Sequence, residues 1–532
     1  VTQDTKQITA EMIAAVESLI GLHFSDEQRK MMLSGLADLR EQYAQIHAQS
    51  VPYTQGPALN FNPRLPDMYF QNNHEGFHVQ LPEGIERPSS DEAIAFLSVS
   101  EQAALMRTGQ ISSLELTTIY LERIKRYGPR LNCIVTITEE LALQQAQRAD
   151  DELAAGHYRG PLHGIPYGAK DLFATKDILT TWGDIPYKEQ VFDYNAAVID
   201  RLEEAGAVLV AKLSLGALAW GDVWFKGRTN NPWNLETGTS GSSAGSGAAV
   251  ASGLVSFALG TETNGSIIYP SAYCGITGLR PSFGRISRYG AMPLSWSMDK
   301  TGPMCRSVED CALLLDVLHG PDQRDAVTLG LPGCGWDGNH DIQGLRLGYV
   351  PAAFESDEPA AKNARAALDL LSSLGAELIP ISLPLEAANS ISFILQAEAA
   401  AAFDELLRSG QVELLTRQVE DAWPNVFRLA RTIPAVEYIQ ANRIRTGILQ
   451  EMAQLFESID AYLLPFGFSH HSTLSNLTGH PAIGLPSGFD HNHMPTSLEC
   501  IAQLYDEATL LRLASAFQHA SSFHLQHPEL TD

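Results

Sequence analysis

Positive charge is scarce in this chain. Its 532 residues carry 36 lysines and arginines against 62 aspartates and glutamates, a formal net charge of −26 at pH 7. A surface of that sign repels phosphate backbones, which argues against nucleic-acid binding through a broad basic face. Cysteine is sparse as well. The six stand at 133, 274, 305, 311, 334 and 500, with no C-x-x-C pair and no regular spacing. They read as reduced thiols of a cytoplasmic protein, not as a disulfide framework. Long hydrophobic runs are missing. The 25 residues from Thr237 to Thr261 carry no charge, but glycine and serine fill much of the stretch. Its apolar part, Ala248–Leu259, is too short to cross a bilayer. A buried helix is expected there, and no membrane association. There is no internal repeat and no low-complexity tract. The residues from Val1 onward show no signal-peptide pattern, although a leader before them stays open.

What is present is an ordinary globular composition, 45% hydrophobic and 18% charged, with enough length for a large core and a prior of two to four domains. Residues 1–50 are expected to form an N-terminal helical extension. Ile8, Met12, Ile13 and Val16 recur at helical spacing, and Ser25-Asp-Glu-Gln28 is a capping box that starts a second helix ending near Ala48. Residues 51–95 are expected to be an extended linker, with six prolines between 51 and 90. From residue 96 to 532 helical and strand periodicities alternate. Ser98–Tyr127 reads as helix and Leu131–Thr138 as strand. Ile165–Ala169 is an apolar run ending at Lys170, and Ala207–Ala211 is a strand. Leu345–Val350 and Glu377–Ile381 are strands around a helix at Ala360–Leu374, residues 391–458 are mostly helical, and Ile459–Pro465 and Ala482–Leu485 are further strands. This alternation implies an α/β sheet with helices on both faces.

The chemistry concentrates between Thr239 and Pro281. The stretch reads T-S-G-S-S-A-G-S-G-A-A, then G-T-E-T-N-G-S-I-I-Y-P, then C-G-I-T-G-L-R-P. Ser242 and Ser266 lie 24 positions apart in Gly-rich surroundings, and Lys170 lies 72 positions upstream in H-G-I-P-Y-G-A-K-D. Acyl transfer needs a nucleophile, a base and donors for the developing oxyanion. Lysine serves as the base only when neutral, and burial at the end of an apolar run lowers its pKa in that direction. Asp171 beside it opposes this unless its side chain turns away. A second serine can relay the proton where lysine and nucleophile do not touch. The spacing by itself leaves open which serine attacks.

Lys170, Ser242 and Ser266, in this order and these surroundings, resemble the amidase signature family of Ser-cisSer-Lys amidohydrolases, from near Phe96 to the C-terminus. Asn230–Asn234, Cys274–Pro281 and Asn476–Ala482 agree with it. The resemblance implies the amidase-signature fold, a central mixed β-sheet covered by helices on both faces. It also implies Ser266 as nucleophile, Ser242 as relay on a cis peptide and Lys170 as base, with an oxyanion hole from the backbone N–H groups of Thr263, Asn264, Gly265 and Ser266. No cofactor and no metal are implied. The expected partner is a small-molecule amide, with a homodimer as a candidate assembly. Residues 1–50 resemble the small C-subunit of tRNA-dependent amidotransferases, and an ordinary helical appendage is the simpler reading.

Two departures bear on the substrate. Asn264 stands where glycine is usual in the family, and asparagine tolerates left-handed backbone better than most residues. Many members carry arginine two or three places after the nucleophile, where this chain has Ile268 and Tyr269. An anionic substrate loses a bidentate partner there. The expectation is therefore a neutral, apolar or aromatic carboxamide, with esters or carbamates open to the same chemistry. Trp182, Leu215, Leu218, Trp220, Trp224, Ile268 and Tyr269 are candidate substrate contacts, though each alone is as readily core. The alternatives are a glutamine-hydrolysing amidotransferase A-subunit acting with a partner, and a non-catalytic assembly subunit.

Other patterns carry less. Gly241-Ser-Ser-Ala-Gly245 fits the nucleophile elbow of α/β-hydrolases, with Ser243 as nucleophile, but no apolar strand precedes it. The same run lacks the G-K-[ST] ending of a phosphate loop. His74-Glu-Gly-Phe-His78 matches H-E-x-x-H, which binds zinc only on a helix, and here it sits in the Pro-rich linker. His470, His471, His480, His491 and His493 have no ligand spacing and read as loop histidines near a pocket mouth. Lys212, closing the strand Ala207–Ala211, is the rival base by position.

Overall fold

The computed structural model describes residues 8–49, 51–66, 68, 76–469 and 471–530. His74, Glu75 and His470 lie outside the described residues. Within them, strands alternating with helices assemble one mixed sheet of eleven strands. In chain order these are β1 (Ile134–Ile137), β2 (Pro166–Lys170), β3 (Val208–Leu213), β4 (Phe257–Glu262), β5 (Thr277–Arg280), β6 (Lys300–Cys305), β7 (Arg346–Tyr349), β8 (Glu377–Pro380), β9 (Ala461–Pro465), β10 (Ala482–Phe489) and β11 (Pro495–Ala502). Across the sheet they run β8-β7-β9-β11-β10-β5-β6-β4-β2-β3-β1. β4, β2 and β3 are mutually parallel, as are β8, β7 and β9; the strands between them pair antiparallel, and β1 closes one edge antiparallel to β3. The central parallel strands are buried along nearly their whole length, which is why they read as continuous apolar runs and not as alternations.

The sheet has helices packed on it, as the resemblance implies. Two of them position the site: α3 (Ala244–Ala251) and α4 (Ile268–Cys274). α3 is buried at every position because it is built of alanine, glycine and serine with a single valine, Val250, small enough to lie close against β2, β3 and β4. The buried helix expected over Ala248–Leu259 is instead the end of α3 followed by the start of β4. The chain turns between them at Gly253, whose φ is +60°. The long helix expected over Ser98–Tyr127 is likewise two, Val99–Arg107 and Ser113–Leu131, separated at Gly109, where φ is +69°. Glycine accepts this left-handed backbone without a Cβ clash.

At the N-terminus two helices form a hairpin, α1 (Ala10–Ile20) and α2 (Asp26–His47). The second starts on a capping box in which the Ser25 hydroxyl accepts from Gln28 N–H and the Gln28 side chain accepts from Ser25 N–H. Glu17 and Arg29 tie the two helices at 2.7 Å.

Candidate active site

β2 and β4 are parallel neighbours, with Ala169 opposite Leu259. Their C-terminal ends therefore deliver Lys170 and Thr261 side by side, in the crevice where open α/β sheets bind ligands. Lys170 is fully buried. Its Nζ lies 2.8 Å from Ser242 Oγ, 2.9 Å from Thr261 Oγ1 and 3.0 Å from Ser243 Oγ. These are hydroxyl partners, with no carboxylate in ion-pair range among the described residues. Burial holds the amine well below the ordinary lysine range, and the charges of Asp299 and Glu262 only partly oppose it. A neutral amine has a lone pair to take the Ser242 proton.

The Gly241–Ser242 peptide is cis, the form the family resemblance implies. Gly241 has to be glycine: a Cβ there would stand 1.8 Å from the Gly221 carbonyl oxygen. Ser243, the serine of the alternative elbow, turns inward and is buried. Its hydroxyl donates to the Thr261 carbonyl, and its N–H donates to the Ser266 carbonyl at 3.2 Å. That backbone bond ties the two serine loops together. Among the described residues Ser266 Oγ has no hydrogen-bond partner, and Ser266 is 9% exposed, whereas Lys170 is 0% exposed. Of the two serines Ser266 is the more exposed, at 9% against 1%, and Ser242 is the one held by the amine.

The loop from Thr263 to Ile267 joins β4 to α4. No protein acceptor among the described residues takes the N–H of Asn264, Gly265 or Ser266. The left-handed position expected at Asn264 falls one residue later, at Gly265 with φ +91°. The Asn264 side chain instead reaches Thr473 Oγ1 at 3.4 Å. Tyr269 covers Gly265 so closely that a Cβ there would meet its ring at 2.9 Å.

The loop is anchored by residues that sequence reasoning missed. Glu262 Oε2 accepts the N–H groups of Ile267 and Ile268, and Oε1 accepts from Arg280 at 2.6 Å and from Asn476 at 2.8 Å. Burial pushes this carboxyl up, but the guanidinium overrides it and holds the group at about 2. Asp299 accepts the Thr263 hydroxyl at 2.6 Å and the N–H groups of Leu294 and Ser295. The signal for Glu262 and Thr261 was their place inside G-T-E-T-N-G-S; no sequence signal marks Asp299.

Lys212 stands elsewhere. Strand alternation turns Asp171 to the side opposite Lys170, where it faces Lys212 at 3.2 Å with both side chains fully buried. Lys212 also donates to Thr180 Oγ1 at 2.7 Å and to the Phe173 carbonyl. Burial pushes Asp171 up and Lys212 down, and each partner opposes the shift of the other.

Of the candidate substrate contacts, Leu215, Leu218 and Trp224 are core. Trp182 is buried in an aromatic cluster with Tyr53, Tyr187 and Phe403. Trp220 is half-buried, edge-on to Trp423 at 4.6 Å. Ile268 is buried, and Tyr269 is half-buried with its ring over Gly265. A cavity of about 240 Å³ opens beside the site, lined by Leu172, Ala219, Thr261, Thr263, Asp299 and others. None of the seven candidates lines it. It meets the site through Thr261, which is hydrogen-bonded to Lys170, and through Thr263; Ser242 and Ser266 lie beyond its lining.

Two histidine expectations need correction. His471 opens the helix His471–Thr478, and His480 follows that helix on a loop; both are buried. His471 Nε2 meets Glu499 at 2.5 Å; burial lowers the ring's affinity for a proton, and Glu499 more than restores it, so its pKa is raised. His480 stacks on Phe456, and burial lowers it to about 3. Among the described residues, no three histidine, cysteine or acidic side chains gather as a metal site, and no helix is long and apolar enough to cross a membrane. All six cysteines are free and buried.

The amidase family model matches residues 115–470. This chain belongs to the amidase family. Among curated relatives, the A-subunit of the glutamyl-tRNA(Gln) amidotransferase of Methylococcus capsulatus is 35% identical over 81% of this chain and 98% of its own length. Among solved structures, the peptide amidase of Stenotrophomonas maltophilia superposes with a TM-score of 0.70 at 28% identity, covering 79% of this chain and 96% of that one. A chain from a vestigial protein complex bearing on the origins of an s-triazine catabolic enzyme gives a TM-score of 0.74 at 27% identity, over 82% of this chain and all of that one. As an amidase-family enzyme, the chain acts on amide C–N bonds.

Proposed function

We propose that the chain is a serine amidohydrolase of neutral, apolar or aromatic carboxamides. The observation that carries this is the buried Lys170 amine, held by burial well below the ordinary lysine range, 2.8 Å from the Ser242 hydroxyl. Lys170 takes the Ser242 proton as Ser242 takes that of Ser266, and Ser266 Oγ attacks the amide carbonyl. The oxyanion forms against the N–H groups of Asn264, Gly265 and Ser266, with Thr263 flanking them. Collapse expels the amine, which receives its proton back through Ser242. Water then enters by the same route in reverse and releases the acid from the Ser266 ester. Esters and carbamates fit the same cycle. Residues 96–532 carry this activity, with 1–50 a helical extension and 51–95 its linker.

Labelling with a fluorophosphonate, followed by peptide mass spectrometry, tests the assignment. One adduct on Ser266, slowed in Lys170→Ala and Ser242→Ala, is expected. An adduct on Ser243 overturns it.

A second reading follows from the curated relatives, which are named amidotransferase A-subunits. In it the chain hydrolyses glutamine and passes ammonia to a partner protein. Glutaminase activity that rises when a partner is added favours this reading over the first.

A further inference from the structure

The segment after the N-terminal hairpin is pinned at both ends and crosses the mouth of the cavity between them. At one end Tyr53 stands edge-on to Trp182 with ring centroids 4.8 Å apart, and its hydroxyl meets that of Tyr187 at 3.0 Å. At the other end Phe61 packs on Phe283 at 5.2 Å and lies under the Arg445 guanidinium at 3.4 Å, and Arg64 donates to the Gly330 carbonyl. Between the pins, Tyr53, Thr54, Gly56, Pro57 and Asn60 line the cavity together with Thr261 and Thr263. Gly56 runs against the Trp296 ring, close enough that a Cβ would stand 3.3 Å from it. Thr54 and Asn60 are exposed, and their side chains make no hydrogen bond among the described residues.

We propose that residues 53–60 are a specificity-determining wall of the substrate cavity, selecting for the size and shape of the part of a neutral amide that lies away from the reacting carbonyl. The wall rests on the amidase reading. Two observations favour it over a passive covering. The segment lies N-terminal to residues 115–470, which carry the family match, so the catalytic strands belong to the shared fold and this wall is added to them. Residues 53–60 carry no charged side chain, and both arginines that line the cavity are matched internally. Arg288 pairs with Asp325 through two bonds of 3.0 Å, and Arg324 pairs with Asp322 and Asp200. The wall therefore offers an occupant shape, a few neutral polar groups and aromatic surface, and no unpaired ion.

The test substitutes exposed positions, where a large side chain projects into the mouth without disturbing the core. Thr54→Trp and Asn60→Trp are compared with Gln55→Trp, on the same segment but outside the cavity lining. The readout is the ratio of kcat/KM for a bulky neutral amide to that for a small aliphatic amide, together with the rate at which a small sulfonyl fluoride labels Ser266. Thr54→Trp and Asn60→Trp are expected to lower the ratio at least ten-fold, mainly through KM for the bulky amide, and Gln55→Trp to leave it unchanged. A ratio that stays put in both cavity variants while Ser266 labels normally overturns the wall and leaves the amidase reading standing. An equal fall in Gln55→Trp also overturns it. Absence of any Ser266 adduct in the wild-type protein removes the amidase reading, and the wall falls with it.

Discussion

Two buried lysines end neighbouring strands, and replacing each by methionine separates their roles. Methionine keeps most of the volume and removes the charge. At Lys212 the change strands Asp171, fully buried and 3.2 Å from the lost amine. Removing one partner of a buried pair costs about 3–5 kcal/mol, because the survivor keeps its desolvation penalty without its counter-charge. Against a total stability of about 5–15 kcal/mol, that is a large fraction. At Lys170 no buried counter-ion is stranded. Ser243 keeps its bonds to the Thr261 backbone, and the loss is confined to hydroxyls left with one partner fewer, about 1–3 kcal/mol at most. Activity runs the other way. Losing a general base costs about 10²–10⁴-fold. Chemical denaturation followed by fluorescence, set beside turnover of a neutral amide, reads both quantities. Lys212→Met is expected to be the less stable protein and Lys170→Met the inactive one. Adding Asp171→Asn to Lys212→Met is expected to recover part of the stability, since no buried charge then remains. Lys170→Met retaining activity within ten-fold of wild type, or Lys212→Met folding like wild type yet inactive, would refute the assignment of the base.

The pH dependence follows from the same amine. Its pKa is depressed in the fold, so acid converts the base to its ammonium, and kcat/KM is expected to fall as pH drops through that depressed value and to stay flat above it. The linked stability has the same sign. Between the folded and unfolded pKa the unfolded chain binds the extra proton, so the Lys170 contribution to stability rises with pH; a titration of unfolding midpoints for wild type against Lys170→Met isolates it. Gly265→Ala puts a Cβ 2.9 Å from the Tyr269 ring at φ +91°, which displaces the loop proposed to supply the oxyanion donors. A loss of about 10²–10³ in kcat is expected, the size seen for one lost donor, with KM little changed. Glu262→Gln weakens the anchor on the Ile267 and Ile268 N–H groups and leaves Arg280 without its buried carboxylate; about 3–5 kcal/mol of stability and slower Ser266 labelling are expected.

The candidate triad was legible because its residues sit in Gly-rich segments that pack at strand ends, and Gly241, Gly260 and Gly265 are required by close approach. A Cβ on Gly260 would sit 2.7 Å from Met304 Sδ and 3.0 Å from Ser243 Oγ, so the glycines in the motif record backbone contacts that no other residue allows. Short strands were less legible. β5 and β6 are four and six residues long, interrupted by glycine and proline, and they are defined by neighbours distant in sequence. The helix expected across Ala248–Leu259 failed because composition does not distinguish a buried helix from a buried parallel strand. The substrate contacts were the least legible. The aromatic residues near the motif went mostly to the core, and the cavity wall came instead from the Pro-rich segment read as linker. Proline marks extended backbone, and nothing in a single sequence says what an extended segment lies across.

Charge accounting narrows the substrate further. A glutamine side-chain amide arrives with an ammonium and a carboxylate attached, and a site that selects it must match both. The two arginines that line the cavity and the one beneath the 263–267 loop are already engaged by carboxylates: Arg288 by Asp325, Arg324 by Asp322 and Asp200, Arg280 by Glu262. Lys300, which also lines the cavity, is held well below the usual lysine range by burial and by the Arg280 charge, and it donates to the Met298 carbonyl. The positions that carry arginine in many family members are Ile268, which is buried, and Tyr269, whose ring is spent on Gly265 and on Phe466 at 5.1 Å. Asp299, in the cavity lining, has no ion pair among the described residues and could face an ammonium, but a substrate carboxylate would have to break an existing pair or enter unmatched, and either route forfeits several kcal/mol. A neutral amide incurs neither cost. The amidotransferase reading thus requires a partner protein to bring the missing positive charge, which makes glutamine turnover by the isolated chain the measurement on which the two functional readings part.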